Sequence, residues 1–227
     1  MTIPPKNLKL VIIFPPQPFP RMFKSSIFCF LLLSAVSAQK VSAATVFTSS
    51  ASFLSNVQPS PGSYTEDFST PPSGFGNYPS GLGFSSNGFT YNAAAAGLPL
   101  AELYLNEDII VTQATNEVLT INFTSGNVTA VGGNFYLTNV LEQTVVASVT
   151  LTLSDSTTVS FSSATSAEYR GFVSTGPFIT SLVMSAPGVN LRNSIDNLTV
   201  GARIIPEPAS VLSMCSGFLL LLQRRRR

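Results

Sequence analysis

Residues 145–161 read VVASVTLTLSDSTTVSF, and this stretch decides the fold class. Val149, Leu151 and Leu153 alternate with threonines, which places apolar side chains on one face of an extended chain and hydroxyls on the other. The SDST link at 154–157 consists of small polar residues that favour a turn. The stretch therefore predicts a β-hairpin whose apolar face is buried.

The same period of two recurs through residues 45–203, where no helical period persists. Threonine, valine and phenylalanine fit a half-buried pleated surface. Short strands with Gly, Pro, Ser and Asn between them predict an all-β domain, an antiparallel β-sandwich of jelly-roll type. Pro59–Gly97, rich in Gly, Pro and Ser, is interpreted as a long surface excursion from which Phe84 or Phe89 packs inward. Further strands are predicted at 64–68, 88–91, 100–105, 118–124, 128–137, 168–173, 179–184 and 194–200.

The charge of the 227-residue chain is unevenly distributed, although its formal net charge is +1. Residues 45–203 hold three arginines and ten acids, which leaves this domain with a net charge of −7. Nucleic acid is excluded as a partner because it requires a cationic surface. Cations and neutral glycans remain possible partners. Both cysteines, Cys29 and Cys215, lie outside the domain, so no disulfide can stabilise it.

The residue types narrow the possible chemistry. The chain has no histidine, and the domain has no lysine unless signal cleavage leaves Lys40, so His- and Lys-dependent nucleophilic mechanisms are excluded there. Hydrolysis could rest only on paired carboxylates. The candidates are Glu66, Asp67, Glu107 and Asp108, for which the alternative is a role as solvated surface or turn residues.

Calcium is the one cofactor that the sequence suggests. Hard cations bind carboxylate and amide oxygens, and Glu66 with Asp67 near the start of the domain could meet Asp196 with Asn197 near its end if the first and last strands are neighbours. The alternative is that Asp196 and Asn197 only shape a turn.

A glycan site would use aromatic platforms. The chain has no tryptophan, and the alternative for its other rings is packing in the core or within loops. The candidate rings are Tyr64, Phe75, Tyr78, Phe84, Phe89 and Tyr91.

The N-terminal segment predicts export. Residues 22–44 read MFKSSIFCFLLLSAVSAQKVSAA, with a lysine, an apolar run and small residues at two possible cleavage points, which is typical of a signal peptide. Residues 1–21 are proline-rich. We expect them to be disordered, an over-long start upstream of the true initiator Met22.

The segment at 204–227, IIPEPASVLSMCSGFLLLLQRRRR, predicts a single transmembrane helix. The apolar run at 210–223 would span roughly 21 Å as a helix, short of the roughly 30 Å hydrocarbon core. The arginines at 224–227 would remain cytoplasmic and orient the domain outward.

This pattern resembles the PEP-CTERM sorting signal of Gram-negative bacteria. The motif residues are Pro206, Glu207, Pro208, Arg224, Arg225, Arg226 and Arg227. The resemblance implies processing by exosortase, a membrane-embedded cysteine transpeptidase, and association with exopolysaccharide and biofilm.

The domain also resembles ectodomains of PEP-CTERM proteins, at residues 65–68 (TEDF), 120–133, 170–172 (RGF) and 195–200 (IDNLTV). We therefore expect a non-enzymatic protein exported across the inner membrane to the cell envelope or the extracellular matrix. The alternatives are a carbohydrate-binding module and, less favoured, a carboxylate-dependent glycan hydrolase.

Overall fold

The computed structural model of this chain describes residues 43–70, 74–98, 101–106, 108–186 and 188–205. The expected start segment, nearly all of the expected signal peptide and the sorting residues from Pro206 to Arg227 lie outside them. Among the described residues, no helix has the length and apolarity needed to cross a bilayer.

The regular secondary structure of the described chain is almost all strand. In chain order they are β1 (Thr45–Phe47), β2 (Ser63–Glu66), β3 (Gly76–Tyr78), β4 (Leu82–Ser86), β5 (Phe89–Ala96), β6 (Leu103–Asn106), β7 (Ile109–Thr112), β8 (Val118–Phe123), β9 (Ala130–Thr138), β10 (Ala147–Leu153), β11 (Thr158–Ser163), β12 (Tyr169–Val173), β13 (Ser181–Ser185) and β14 (Arg192–Gly201). One short helix, α1 (Ser50–Leu54), joins them.

The strands form two antiparallel sheets. The eight-stranded sheet has the order β1-β12-β9-β14-β7-β6-β3, and β2 also pairs with β14. The six-stranded sheet has the order β11-β10-β13-β8-β5-β4. Sequence neighbours such as β13 and β14 lie in different sheets, so the chain crosses repeatedly from one sheet to the other.

A single apolar core lies between the sheets and makes the domain a β-sandwich. Leu119 and Ile121 of β8 and Leu151 of β10 come from the six-stranded sheet, and Phe135 of β9 and Phe172 of β12 come from the eight-stranded one. All five are at most 1% exposed. Because alternate residues of each strand supply this core, the intervening residues of the six-stranded sheet face solvent.

Helix α1 covers part of the outer face of the eight-stranded sheet. Its N-cap is Ser49, whose Oγ accepts a hydrogen bond from the Ser52 N–H at 3.3 Å. Its buried residue, Phe53, packs against Tyr169 and Val173 in a second, smaller apolar cluster. The helix has a single turn and one buried side chain, so it leaves no periodic signal in the sequence, and none was predicted.

The predicted hairpin is confirmed. Strands β10 and β11 pair from Ala147↔Ser163 to Thr152↔Thr158. Their turn is closed by Asp155, whose Oδ1 accepts a hydrogen bond from the Thr157 N–H at 2.8 Å. The all-β class and the antiparallel pairing are confirmed with it.

The predicted surface excursion over 59–97 is wrong. That range contains β2, β3, β4 and β5, and β5 pairs with both β4 and β8 inside the six-stranded sheet. Its alternation of Phe89, Tyr91 and Ala93 with polar residues is a strand pattern. The strands predicted at 64–68 and 88–91 are present there as β2 and β5, whereas β3 and β4 were missed because they contain Gly and Ser, residues that also favour turns. Phe84 and Phe89 do pack inward, as predicted.

Candidate functional site

The outer face of the six-stranded sheet carries hydroxyl and amide side chains. Alternation along each strand places them opposite the buried core residues. We name this surface the hydroxyl face. Its members are Gly83, Ser85, Thr90, Asn92, Ala94, Thr120, Asn122, Ser148, Thr150, Thr152, Thr158, Ser160, Ser162, Ser181, Val183 and Ser185.

The hydroxyl face is free of charge. None of the six strands that form this sheet contains Asp, Glu, Lys or Arg. The eight-stranded sheet differs, because its strands include Glu66, Arg170, Arg192 and Asp196. The acidic domain therefore presents one broad face on which neutral hydrogen-bonding groups stand alone.

Cross-strand hydrogen bonds order several hydroxyls of this face. Thr150 Oγ1 and Ser160 Oγ lie 2.8 Å apart across β10 and β11. Thr90 Oγ1 lies 2.8 Å from Thr124 Oγ1, just beyond the end of β8. A hydroxyl that donates to its neighbour keeps an acceptor lone pair for solvent or a ligand.

A groove of about 540 Å³ opens at the β4–β5 end of the hydroxyl face. It is lined by Gly83, Ser85, Thr90, Asn92 and Thr124, with the edges of Phe84 and Tyr91. Its floor is open at Gly83, which has no side chain and lies opposite Asn92. A Cβ added at Gly83 would meet only the Tyr91 carbonyl oxygen, at 4.0 Å.

A row of residues in register continues from this groove across the sheet. Gly83 pairs with Asn92, Asn92 with Asn122, and Asn122 with Ser181. Three strand steps span about 14 Å. Two amides and a hydroxyl thus follow one another in a line perpendicular to the strands, which is an arrangement of donors and acceptors suited to an extended polar chain.

The aromatic platform that the sequence suggested does not form. Phe84, Phe89 and Tyr91 belong to the core, where Phe84 and Tyr91 stack at 5.0 Å between ring centroids. Tyr64 is half-buried against Tyr91. The remaining two rings lie off the hydroxyl face, at β3, where Tyr78 donates a hydrogen bond to the Gly74 carbonyl and Phe75 is exposed.

The four predicted calcium ligands meet at one junction of the eight-stranded sheet. One edge of β14 pairs with β9. Its other edge pairs first with β7, at Ser194 and Ile195, and then with β2, at residues 198–201. Asp196 and Asn197 lie between them, where the register of β14 shifts. Glu66 pairs with Leu198, and Asp67 follows it. Glu66 and Asp196 therefore lie on neighbouring strands, β2 and β14, although the first strand of the domain, β1, pairs with β12.

The carboxyl groups at this junction differ in their surroundings. Burial raises the pKa of Asp196, and the carboxylates of Asp108 and Asp67 raise it further. Burial also raises the pKa of Glu66, against a hydrogen bond from the Phe68 N–H at 3.2 Å. The pKa of exposed Asp67 is lowered by hydrogen bonds from Ser69, whose Oγ lies 2.8 Å from Oδ1.

Calcium binding at this junction stays a prediction. Within the described ranges, no three Asp, Glu, His or Cys side chains are close enough together to hold a metal ion. Asn197 has a left-handed backbone, with φ of 51°, and its Nδ2 donates to Asp196 Oδ2 at 2.6 Å. These two residues therefore lie within strand β14, at the irregularity where its register shifts, and not in a turn, which was the alternative for the pair.

The carboxylates proposed for hydrolysis do not line either groove described here. Glu66, Asp67 and Asp108 belong to the junction around β14, and Glu107 lies outside the described residues. The groove on the hydroxyl face and a second one beside β1 have no Asp or Glu in their linings.

The sequence carried a readable signal for the hydroxyl face that was not used. Thr90, Asn92 and Asn122 alternate with buried residues in strands that lack charge. The predicted glycan site contained aromatic rings only. These Thr and Asn residues were not included, because Thr and Asn in a strand also fit a face that is merely solvated.

Comparisons with known proteins give slight similarity only. No protein-family model matches the sequence, and no curated protein matches it. Among solved structures, a family 29 carbohydrate-binding module is 14% identical, with 61% of this chain and 91% of that one covered and a TM-score of 0.36. Another structure from that family, a complex with mannohexaose, is 13% identical, with 56% and 90% covered and a TM-score of 0.36. TM-scores this low do not establish a shared fold.

Proposed function

We propose that this chain is an exported, non-catalytic protein of the cell envelope or extracellular matrix that binds a neutral polysaccharide on its hydroxyl face. One observation carries the proposal: the six strands of that sheet contain no charged residue, and their outward side chains are mostly Ser, Thr and Asn. Sugar hydroxyls both donate and accept hydrogen bonds, and hydroxyl and amide side chains do the same.

The charge of the domain favours a neutral polymer over an anionic one. With three arginines and ten acids in residues 45–203, the domain repels polyanions. Binding to a neutral polymer gains nothing from counterion release, so we expect its affinity to change little with salt. An anionic polymer held by the few arginines would instead dissociate as salt rises.

The groove at Gly83 is the centre of the proposed site. Its floor is open to a sugar ring, and Asn92 stands beside it at the start of the row of amides. Asn92 has both amide donors and a carbonyl acceptor to offer, so it can hold two neighbouring sugar hydroxyls. A side chain added at Gly83 would occupy the groove from below.

A role in binding without catalysis follows from the residue types. The chain has no histidine, and neither described groove is lined by a carboxylate. Glycoside hydrolysis requires two carboxyl groups flanking the scissile bond, and the proposed site provides none.

Affinity electrophoresis tests the binding proposal. The mature protein is run through native gels that contain neutral glucans, mannans or xylans, with an alginate gel as the anionic comparison. We expect retardation by at least one neutral polymer, at both low and high salt. Failure of every neutral polymer to retard the protein, or retardation by alginate alone, would refute the proposal.

Two variants locate the site, and a third serves as a control. Gly83→Val places a side chain in the groove, where its Cβ would lie 4.0 Å from the Tyr91 carbonyl oxygen, an ordinary contact distance. Asn92→Ala removes the amide. Each should weaken binding by about tenfold, the equivalent of about 1.4 kcal/mol. Asn77→Ala changes an exposed asparagine of β3 in the eight-stranded sheet, away from the hydroxyl face, and should bind as the wild type does. Equal binding by all three variants would place the site elsewhere.

Export and sorting form the second part of the proposal. The support is the sequence pattern of a signal peptide at 22–44 and of Pro206-Glu207-Pro208, an apolar run and four arginines at 206–227. Intact mass and terminal peptides of the native protein test it. A form that starts between Gln39 and Thr45 and ends near residues 206–210 is expected. A membrane form that retains Arg227 would mean that the tail is a plain anchor.

A further inference from the structure

A second groove, of about 370 Å³, lies where the described chain enters and leaves the sandwich. Thr45 and Phe47 of the edge strand β1 form one side of it, and Arg203, Ile204 and Ile205 form the other. The last described residues are held in place, because the Ile204 N–H donates to the Asn56 carbonyl at 2.9 Å. Both ends of the domain therefore meet at one site.

Exposed aliphatic side chains surround this groove. Ile204 is 49% exposed, Ile205 is 61% exposed, and Leu54, two residues before Asn56 of the lining, is 47% exposed. We name Leu54, Ile204 and Ile205 the tail-proximal patch. A single exposed aliphatic residue is ordinary, but several that cluster beside a groove indicate an interaction surface.

The length of the following chain limits what can cover this patch. Four residues, 206–209, separate Ile205 from the apolar run that begins at Ser210. Fully extended, they reach at most about 14 Å. The headgroup layer on one side of a bilayer is roughly 5–8 Å thick. A domain whose tail is inserted therefore holds this patch within reach of the headgroups, at the high effective concentration that a short tether provides.

The charge near this groove is mixed. Arg203 is the one charged residue in the lining of this described groove. Its guanidinium is fixed at the rim, since it donates a hydrogen bond to the Ser174 carbonyl at 3.0 Å. An acid also lies nearby, because Asp155 Oδ2 accepts a hydrogen bond at 3.1 Å from the N–H of Ala44, the residue before Thr45 of the lining. The arginine and this carboxylate offset each other, so docking would depend on the aliphatic side chains rather than on charge.

We propose that the tail-proximal patch is a lipid-docking surface that lies against the headgroup layer while the C-terminal tail is inserted. The proposal rests on the membrane-anchored stage of the proposed function, and it adds an orientation to it. The groove is on the outer side of the eight-stranded sheet, where Phe47 and Val173 belong to the cluster beneath α1. The hydroxyl face is on the opposite side of the sandwich.

A fluorescent probe tests the docking in the full chain. Cys29 and Cys215 are replaced by serine, and an environment-sensitive NBD group is attached at Ile205→Cys or, as the matched control, at Thr152→Cys on the hydroxyl face. The protein is reconstituted in nanodiscs of phosphatidylethanolamine and phosphatidylglycerol at 3:1. We expect a blue shift and quenching by headgroup-region spin-labelled lipid at position 205, and neither effect at position 152.

A patch variant separates docking from mere proximity. Leu54→Ser with Ile204→Ser removes aliphatic surface that is already largely exposed, so the urea midpoint should change little while the blue shift at position 205 is lost. A blue shift at position 205 that persists in this double variant would refute a role for the tail-proximal patch in docking.

The remaining outcomes distinguish this proposal from the one on which it rests. If the chain stays on the nanodiscs but the probe at 205 behaves like the probe at 152, docking is refuted and anchoring stands. If the chain does not stay on the nanodiscs, anchoring fails and docking fails with it. A blue shift that appears without lipid and grows with protein concentration would assign the patch to contact with a second copy, which also overturns the proposal.

Discussion

Replacing Gly171 with alanine should force Phe53 out of its place beneath helix α1. A Cβ at Gly171 would lie 2.5 Å from Phe53 Cδ2 and 2.7 Å from Cγ. Carbon atoms in contact normally lie about 3.5–4.0 Å apart, so the ring would have to move by about 1 Å. It has no room to do so, because it is fully buried and its centroid lies 6.2 Å from that of Phe47 and 5.9 Å from that of Tyr169. Overpacking of this kind costs about 1–3 kcal/mol.

A double-mutant cycle shows whether this contact is the cause. Phe53→Ala alone should cost about 3–5 kcal/mol. In that background Gly171→Ala should cost nothing, or stabilise slightly, because the new methyl enters the cavity left by the ring. The two substitutions should therefore be coupled by about 1–3 kcal/mol. Urea denaturation followed by circular dichroism measures all four free energies of unfolding. An equal cost of Gly171→Ala in both backgrounds would refute the contact and the placement of α1 on β12.

The acidic junction yields two further predictions. The raised pKa of Asp196 means that the folded state binds this proton more tightly than the unfolded state does. Protonation of Asp196 therefore stabilises the fold. This contribution is complete below about pH 4 and is lost as the pH rises through the pKa of the folded state. Urea midpoints measured from pH 4 to 7 should therefore fall less in Asp196→Asn than in the wild type, and equal slopes would contradict this. If calcium binds there, a concentration about 100 times its Kd should add roughly 2.7 kcal/mol and raise the melting temperature by about 5–10 °C. EDTA should reverse that rise. Asp196→Asn should abolish it, whereas Glu168→Gln, on the partly buried Arg170 ion pair, should retain it. No shift in the wild type would count against calcium.

The strands that the sequence predicted well are those whose alternation is complete. Leu119, Ile121 and Phe123 were placed on one face and are all buried, because a period of two leaves only one way to bury a strand. Strand β7 and helix α1 were missed for the opposite reason. Ile109–Thr112 has no alternation, since Ile110, Val111 and Thr112 are all buried, and α1 exists because Gly171 makes room for Phe53. Neither cause can be read from a local pattern.

The candidate site illustrates a different limit. The expected proximity of Glu66 and Asp196 rested on the general rule that the first and last strands of a sandwich are neighbours; here β14 pairs with β2, and the first strand, β1, pairs with β12. The sequence could not identify the hydroxyl face, which depends on strand order: Asn92 and Asn122 are thirty residues apart and become neighbours only through the pairing of β5 with β8. The register between strands that are distant in sequence depends on the packing of the whole core, so it cannot be predicted from any short segment.

The two proposed surfaces lie on opposite sides of one sandwich, and this arrangement links their functions. Docking through Ile204 and Ile205 would turn the outer side of the eight-stranded sheet towards the membrane, so the hydroxyl face would point away from it, where an extracellular polymer can reach Gly83 and Asn92. The linings of the two grooves contain no acid, and the carboxylates of Asp67 and Asp108 lie close enough to Asp196 to raise its pKa. Proteins keep net charge for solubility. Neither groove lining would place a carboxylate beneath a bound ligand, so neither proposed contact would require a carboxylate to lose its water.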